Sequence, residues 1–236
     1  MSTQIDINFD FYSDTPPNKD PDSYSPTLRS YHKLLWSKPL PGGAQFELVD
    51  TAPHAYLHHK SELGEFYFSS DAITHSYKHV IKMSQVISQV PSEEIDSLFH
   101  HGSTIGAYTI FPANKINNKP TINGMRGLSA KIKDRFDLTL EAIRLYYDKQ
   151  SSPLSETFER YPDFFDLFVD FKGYVEFFLL QDLVTEDFSS VKFHLPFTSF
   201  DNSPLPNDAE EYLEYKNNTI RFIKARNLRI LESVAD

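Results

Sequence analysis

Residues 45–70, QFELVDTAPHAYLHHKSELGEFYFSS, decide the fold class. Three short aromatic and β-branched runs, QFELV, AYLHH and EFYFS, are separated by Pro53 and by the turn at Ser61 to Gly64, a pattern of a β-hairpin or small meander. A further strand, buried on at least one face, is expected in TIGAYTIF (104–111), ended by Pro112. Upstream, residues 12–26 are rich in proline and aspartate, which favours turns and extended backbone. Ser25 followed by Pro26 is a helix start, and Leu28, Tyr31, Leu34 and Leu35 then repeat at helical spacing as far as Ser37.

Downstream of the meander the period changes from two to 3.6. Residues 76–90 read as a helix with Val80, Met83, Ile87 and Val90 inward, and Ser92 caps a second one through Phe99. Helices are expected over 134–150, 154–168 and 172–184, the last broadly apolar and hence central. A late strand is expected in VKFHLPF (191–197). A final helix from Asn207 or Asp208 to about Leu231 has acids first and bases last, the order its dipole favours, and reads as solvent-facing. The class is therefore α+β: a small early antiparallel sheet packed against a predominantly helical C-terminal half. Residues 1–236 are expected to form one domain, with a lead-in (1–25), a mixed part (26–111) and a mainly helical part (112–236).

The 236 residues carry 23 Lys+Arg against 33 Asp+Glu, a formal charge of −10, which argues against general attraction to nucleic acid or anionic membrane. With no cysteine, disulfide scaffolds, thiolate metal sites and cysteine nucleophiles are excluded. The first ten residues, MSTQIDINFD, contain acids and no apolar run, and no window resembles a membrane span; a cytoplasmic protein is the expectation.

Charge is uneven along the chain. Residues 1–25 carry −4, 26–111 carry −2, 112–150 carry +4 and 151–236 carry −8. Within the basic island, TINGMRG (121–127) followed by Arg135 places a glycine-flanked turn before a helix, where backbone N–H groups and guanidinium forks suit a phosphate. The binding candidates are Asn123, Arg126 and Arg135, with Lys19 and Arg29 as a second cationic lip and His32 as the acid–base group for phosphoester chemistry. The other use of Arg126 and Arg135 is to pair with neighbouring acids and pin the turn.

Eight of the nine histidines lie between residues 32 and 101. His54/His58 falls in an expected strand, where four residues span about 13 Å, too far for one ion. His75/His79 at helical spacing, with Asp71 nearby, is the one pair suited to zinc. No His-Glu-x-x-His pattern accompanies it, so no metal ligand and no cofactor is assigned. A Gly-x-Ser-x-Gly elbow is absent, and Asp163, Asp166 and Asp170 read as a solvated face.

Five stretches, DTPPNKDPDSYSPTLRSYHKLLWSKPLPGG (14–43), GEFYFSSD (64–71), TINGMRG (121–127), DRFDLTLEAIR (134–144) and GYVEFFLLQDLV (173–184), resemble an uncharacterised bacterial family that carries only a domain-of-unknown-function label. The resemblance implies a single family-sized domain and brings no reaction and no catalytic residue. The sequence therefore leaves three readings: an anionic, phosphate-bearing small ligand such as a nucleotide or nucleic-acid phosphate; a non-catalytic module for a protein partner or self-association; and a histidine-based metal-dependent hydrolase.

Overall fold

The computed structural model describes residues 5–50 and 56–234. Helix α1 (Pro21–Tyr24) and helix α2 (Pro26–Trp36) follow the lead-in and are capped by the side chains of Asp20 and Ser25, each with proline in the first turn. Strands β1 (Leu57–Ser61), β2 (Gly64–Ala72) and β3 (Tyr108–Pro112) form one antiparallel sheet in that order. The pairing Leu57 with Phe68, and Phe68 with Pro112, centres the sheet on Phe68, which is fully buried. Between β2 and β3 run the short α3 (Ser84–Ile87) and the longer α4 (Ser92–Gly102).

After β3 come α5 (Ile122–Leu128), α6 (Phe136–Tyr147), α7 (Ser155–Phe158), α8 (Pro162–Asp166), α9 (Phe171–Phe177) and α10 (Ala209–Ser233). The α+β class expected from the periodicity is thus the observed one, with a small sheet early and helices late. Buried apolar side chains form two clusters. The larger joins Trp36, Phe68, Phe111 and the aromatic run Phe164 to Phe178. The smaller packs Tyr77, Met83, Ile95 and Leu98 against Tyr212 and Tyr215 of α10.

The helix expected over 154–168 is broken into α7 and α8, that over 172–184 ends at Phe177, and the strand expected from residue 104 begins only at Tyr108 after a 3-10 turn, Ile105–Ala107. Four further local expectations differ from the structure. The run 45–49 makes only single bridges, Pro39 with Gln45 and Val49 with His58, because an amide between them is taken by a side chain: Leu48 N–H donates to the Ser37 hydroxyl at 2.9 Å. Phe46 and Leu48 are buried without a ladder. Residues 191–197 likewise make one bridge, Val184 with Val191; Pro196 has no donor, and the His194 N–H is held by the Asp137 carboxylate at 2.9 Å. The segment 76–90 is not one helix, since Tyr77 adopts a φ of 56° and its N–H donates to His75 Nδ1 at 2.9 Å. Lastly, α10 is not a solvent-facing helix: Tyr212, Tyr215, Thr219, Phe222, Ile223, Arg226 and Ile230 bury a full stripe against both clusters.

Helix α10 also carries Arg226, fully buried with no carboxylate beside it among the described residues. Its guanidinium donates instead to three carbonyls, at Phe178 (3.0 and 3.3 Å), Gly106 (3.0 Å) and Tyr108 (2.8 Å), and stacks over Trp36. It thereby ties α10 to the entry of β3 and the end of α9. Its charge also acts on Lys38: burial first, and Arg226 second, push that amine down to about 8.

Candidate functional site

Consecutive residues of a strand point to opposite faces, and β2 uses this at Ser70 and Asp71. Ser70 receives α2: His32 Nε2 lies 3.0 Å from the Ser70 hydroxyl. His32 Nδ1 accepts from Trp36 Nε1–H at 3.0 Å, so the ring proton sits on Nε2 and is donated to Ser70. The Ser70 hydroxyl in turn donates to Asp22 at 2.6 Å. Hydrogen bonds therefore run in one direction, from Trp36 through His32 and Ser70 to the carboxylate of Asp22 on α1.

The groups in this chain are strongly perturbed. Burial drives His32 down to about 3, with the Arg226 charge adding to it. Asp22 moves the other way, to about 6: burial raises it, the Ser70 hydrogen bond lowers it, Asp20 raises it further, and the Ala72 N–H and Arg126 lower it. A carboxyl poised near neutrality at the edge of a cleft is a recurrent feature of sites that exchange protons.

Asp22 does open onto a cleft, of about 380 Å³, between the lead-in, the residues following β2, α4 and β3. Its walls include Tyr12, Asp20, Asp22, Thr74, His75, Ser76, His79, Phe99 and Tyr108. Tyr12 and Phe99 pack on each other with ring centroids 4.8 Å apart and are 41% and 51% exposed, one accessible aromatic wall. Tyr108 is buried to 3% exposure, lines the cleft, and its hydroxyl has no hydrogen-bond partner among the described residues. Burial raises the Tyr12 phenol, and Asp20, Asp22 and Asp10 each raise it further, so the cleft carries a negative field.

On the other face, Asp71 pairs with Arg126 of α5, which also donates to Thr139 at 3.1 Å and to the Asp134 carbonyl at 3.3 Å. With its amide oriented so that the nitrogen faces the same Asp71 carboxylate, Asn123 donates to it at 3.1 and 3.3 Å. TINGMRG is itself the helix α5, with Thr121 as its cap, rather than a turn before one.

Three of the six residues chosen from the sequence therefore gather at Ser70 and Asp71: His32, Asn123 and Arg126. The other three stand apart. Arg135 is 2% exposed, paired with Asp137 and hydrogen-bonded to the Pro204 carbonyl at 3.3 Å. Lys19 lies over the Tyr24 ring at 5.1 Å, and Arg29 over the Tyr56 ring at 4.6 Å. Arg126 and Arg135 thus share no solvent-reachable hollow free of carboxylates; each is enclosed with an aspartate. His32 is 0% exposed with both ring nitrogens engaged, so it meets no solute directly and acts only through Ser70.

His75 and His79 both line the cleft, but from irregular backbone, and Asp71 is turned away to Arg126. Among the described residues no group of three His, Asp or Glu side chains is placed to hold a metal ion. The pairing of His54 with His58 lies outside the described residues. Reading the sequence missed Asp22, Ser70 and Tyr108. Asp22 sits in DPDSYSP, whose local signal is a capped turn, and Ser70 and Tyr108 belong to strand runs that report only burial.

These contacts make a prediction about pH. Because the folded state raises the Asp22 carboxyl from 3.8 to about 6, the protein loses stability as pH rises through that window, and the loss is complete above it. Asp22→Asn keeps the acceptor for Ser70 and removes the buried charge. It is expected to stabilise the protein at pH 7 by about 1–3 kcal/mol, with the advantage vanishing near pH 4. Urea unfolding at several pH values measures this. A D22N variant less stable than wild type at pH 7 would contradict the geometry.

The fold and site together define an α+β protein whose three-stranded antiparallel sheet carries an acidic, aromatic-walled cleft at the end of a buried hydrogen-bond chain. The chain belongs to the family of unknown function DUF6994, whose model matches residues 5–230. No curated protein and no solved structure matches it. No helix among the described residues is long and apolar enough to cross a membrane.

Proposed function

We propose that this protein binds a small organic molecule in the cleft bounded by Tyr12, Asp22, Phe99 and Tyr108, with Asp22 as the group that exchanges a proton with it. The observation that carries this reading is the one-directional chain from Trp36 to Asp22. Four side chains from three segments serve to place one carboxyl, to the detriment of stability, beside open volume. His32 is a positioning residue here: it fixes the Ser70 hydroxyl, whose proton must then point to Asp22.

A fragment screen on the full chain by heteronuclear NMR tests the reading. Bound fragments are expected to move the amide resonances of Thr74, Ser76 and Gly102. Hits that move only other regions of the protein, or no hits, would count against it.

A second reading keeps an anionic ligand, at a different place from the basic island. Arg29 has no carboxylate partner among the described residues, and it lines a hollow of about 340 Å³ with Ser23, Ser25, Ser30 and Lys33. Lys33 is already paired with Asp50 at 3.2 Å, which leaves one uncommitted guanidinium there. Inorganic phosphate shifting the Ser30 amide in wild type and not in Arg29→Ala would favour it.

A further inference from the structure

We infer that the molecule held in the cleft is an organic cation, an amine or amidine carried on an apolar or aromatic body. This inference rests on the cleft being the binding site and adds the charge class of its occupant.

The first observation is the sign of the wall. Asp20 and Asp22 line the cleft, and Asp10 stands close enough to act on Tyr12. Among the described residues no lysine or arginine lines it; Arg126, the cation that acts on Asp22, is committed to Asp71. Carboxylates gathered without a neutralising partner repel one another, a strain that a bound cation relieves and a bound anion worsens. The His75 imidazole does not change this sign. Burial lowers His75, Asp134 only partly opposes that, and the neighbouring His79 lowers it further; its Nδ1 is occupied by the Tyr77 N–H, so the ring is neutral at pH 7.

The second observation is independent of the acids. Tyr12 and Phe99 form a packed, partly exposed aromatic pair in the wall, and a cation held over an outer ring face is attracted by the ring quadrupole. Tyr108, more than nine-tenths buried, supplies a hydroxyl without a partner among the described residues, its oxygen free to accept from an ammonium N–H. Aromatic walls, carboxylates and a free phenol oxygen present acceptors and π-faces together, which is the complement of an N–H-bearing cation. A metal ion has no such use for the aromatic pair, and the described side chains offer it no three-ligand set.

Binding of a cation also has a proton signature. The groups facing Asp22 are Asp20 as the cap of its own helix, Ser70 and the Ala72 N–H on β2, and more distantly Arg126, with Tyr12, Tyr108, His75 and His79 around the cleft. A positive charge added to this set favours ionised Asp22. Cation binding near pH 6 is therefore expected to release a proton, and affinity is expected to fall as pH is lowered toward 5.

The test uses three probes of one shape and different charge, benzylamine, benzyl alcohol and benzoate, titrated into the full chain with the Thr74, Ser76 and Gly102 amides as reporters and heats read by calorimetry. Benzylamine is expected to bind about tenfold or more tightly than benzyl alcohol at pH 7, and benzoate not at all. At pH 6 the benzylamine heat should vary with the ionisation enthalpy of the buffer in the sense of proton release. Asp22→Asn should weaken benzylamine about tenfold while leaving benzyl alcohol unchanged; Asp20→Asn, on the exposed cap, gives a second loss in the same direction. Benzyl alcohol or benzoate binding as tightly as benzylamine overturns the charge class and leaves the cleft reading standing. None of the three moving the reporters also overturns it, and the fragment screen then shows whether the cleft reading falls with it.

Discussion

Replacing Asp71 with alanine is expected to lower the free energy of unfolding by about 3–5 kcal/mol, because it strands a buried guanidinium that has no other carboxylate within hydrogen-bond distance. Arg126 is fully buried, and its remaining partners are the Thr139 hydroxyl and backbone carbonyls, with the Phe111 and Phe136 rings beside it. Those groups accept hydrogen bonds but do not neutralise the charge. The Asn123 amide loses its acceptor in the same variant. Removing both charges, as Asp71→Ala with Arg126→Met, should recover a large part of the loss, since what the single change costs is the uncompensated cation rather than the pair's own attraction. Urea denaturation of the two single variants and the double variant measures the cycle. A single Asp71→Ala change that shifts stability by less than about 1 kcal/mol would show that the ion pair does not hold α5 to the sheet.

Replacing Arg226 with methionine is the second large effect, with an expected loss of about 3 kcal/mol or more from three buried carbonyls left without donors. Methionine fills much of the volume, so the cost falls on the polar contacts to Phe178, Gly106 and Tyr108. The same change has a second readout that simple destabilisation would not give. Lys38, which lies over the Trp36 and Phe177 rings, is held at about 8 by burial and then by Arg226. Without that like charge its pKa should rise part of the way toward 10.5, the burial contribution remaining. NMR titration of labelled lysine side chains follows this directly. An unmoved Lys38 would mean that the Arg226 charge does not reach it.

Both predictions concern arginines whose charge is legible in the sequence and whose use is not. The +4 island at 112–150 draws attention to Arg126 and Arg135, and charge composition cannot distinguish a guanidinium aimed at a ligand from one aimed at an aspartate. Arg126 meets Asp71 across 55 residues of chain, a pairing that no local window contains. Arg226 reads as one base among several on an amphipathic helix. Its burial depends on where α9 and β3 come to lie, and a helix face is exposed or covered only relative to those neighbours.

The candidate site divides in the same way. His32 stands out on α2 because a polar ring sits among Leu28, Tyr31 and Leu35, and the Trp36 contact one turn later follows from helical spacing. Its direction toward Ser70, and Ser70 toward Asp22, is decided by a strand 38 residues away and by a four-residue helix in the lead-in. Tyr108 looks like any strand aromatic until the cleft beside it is seen.

What the residues determine by themselves is the local alphabet. The Ser25 cap with Pro26 starts α2, alternation makes β1 and β2, 3.6-residue periodicity makes α6 and α10, and the lack of cysteine removes thiol chemistry. These follow from interactions within a few residues, whose energies depend on side-chain type and spacing alone. Tertiary structure decided the rest: that amides within 45–49 and 191–197 are taken by side chains before they can join a ladder, that α10 is covered, that two arginines face aspartates, and that Asp22 ends a buried chain beside an acidic cleft. Those outcomes turn on burial and on partners far along the chain, and the cost of leaving a buried charge or hydrogen-bonding group unpaired selects among them only once the helices and sheet have packed together.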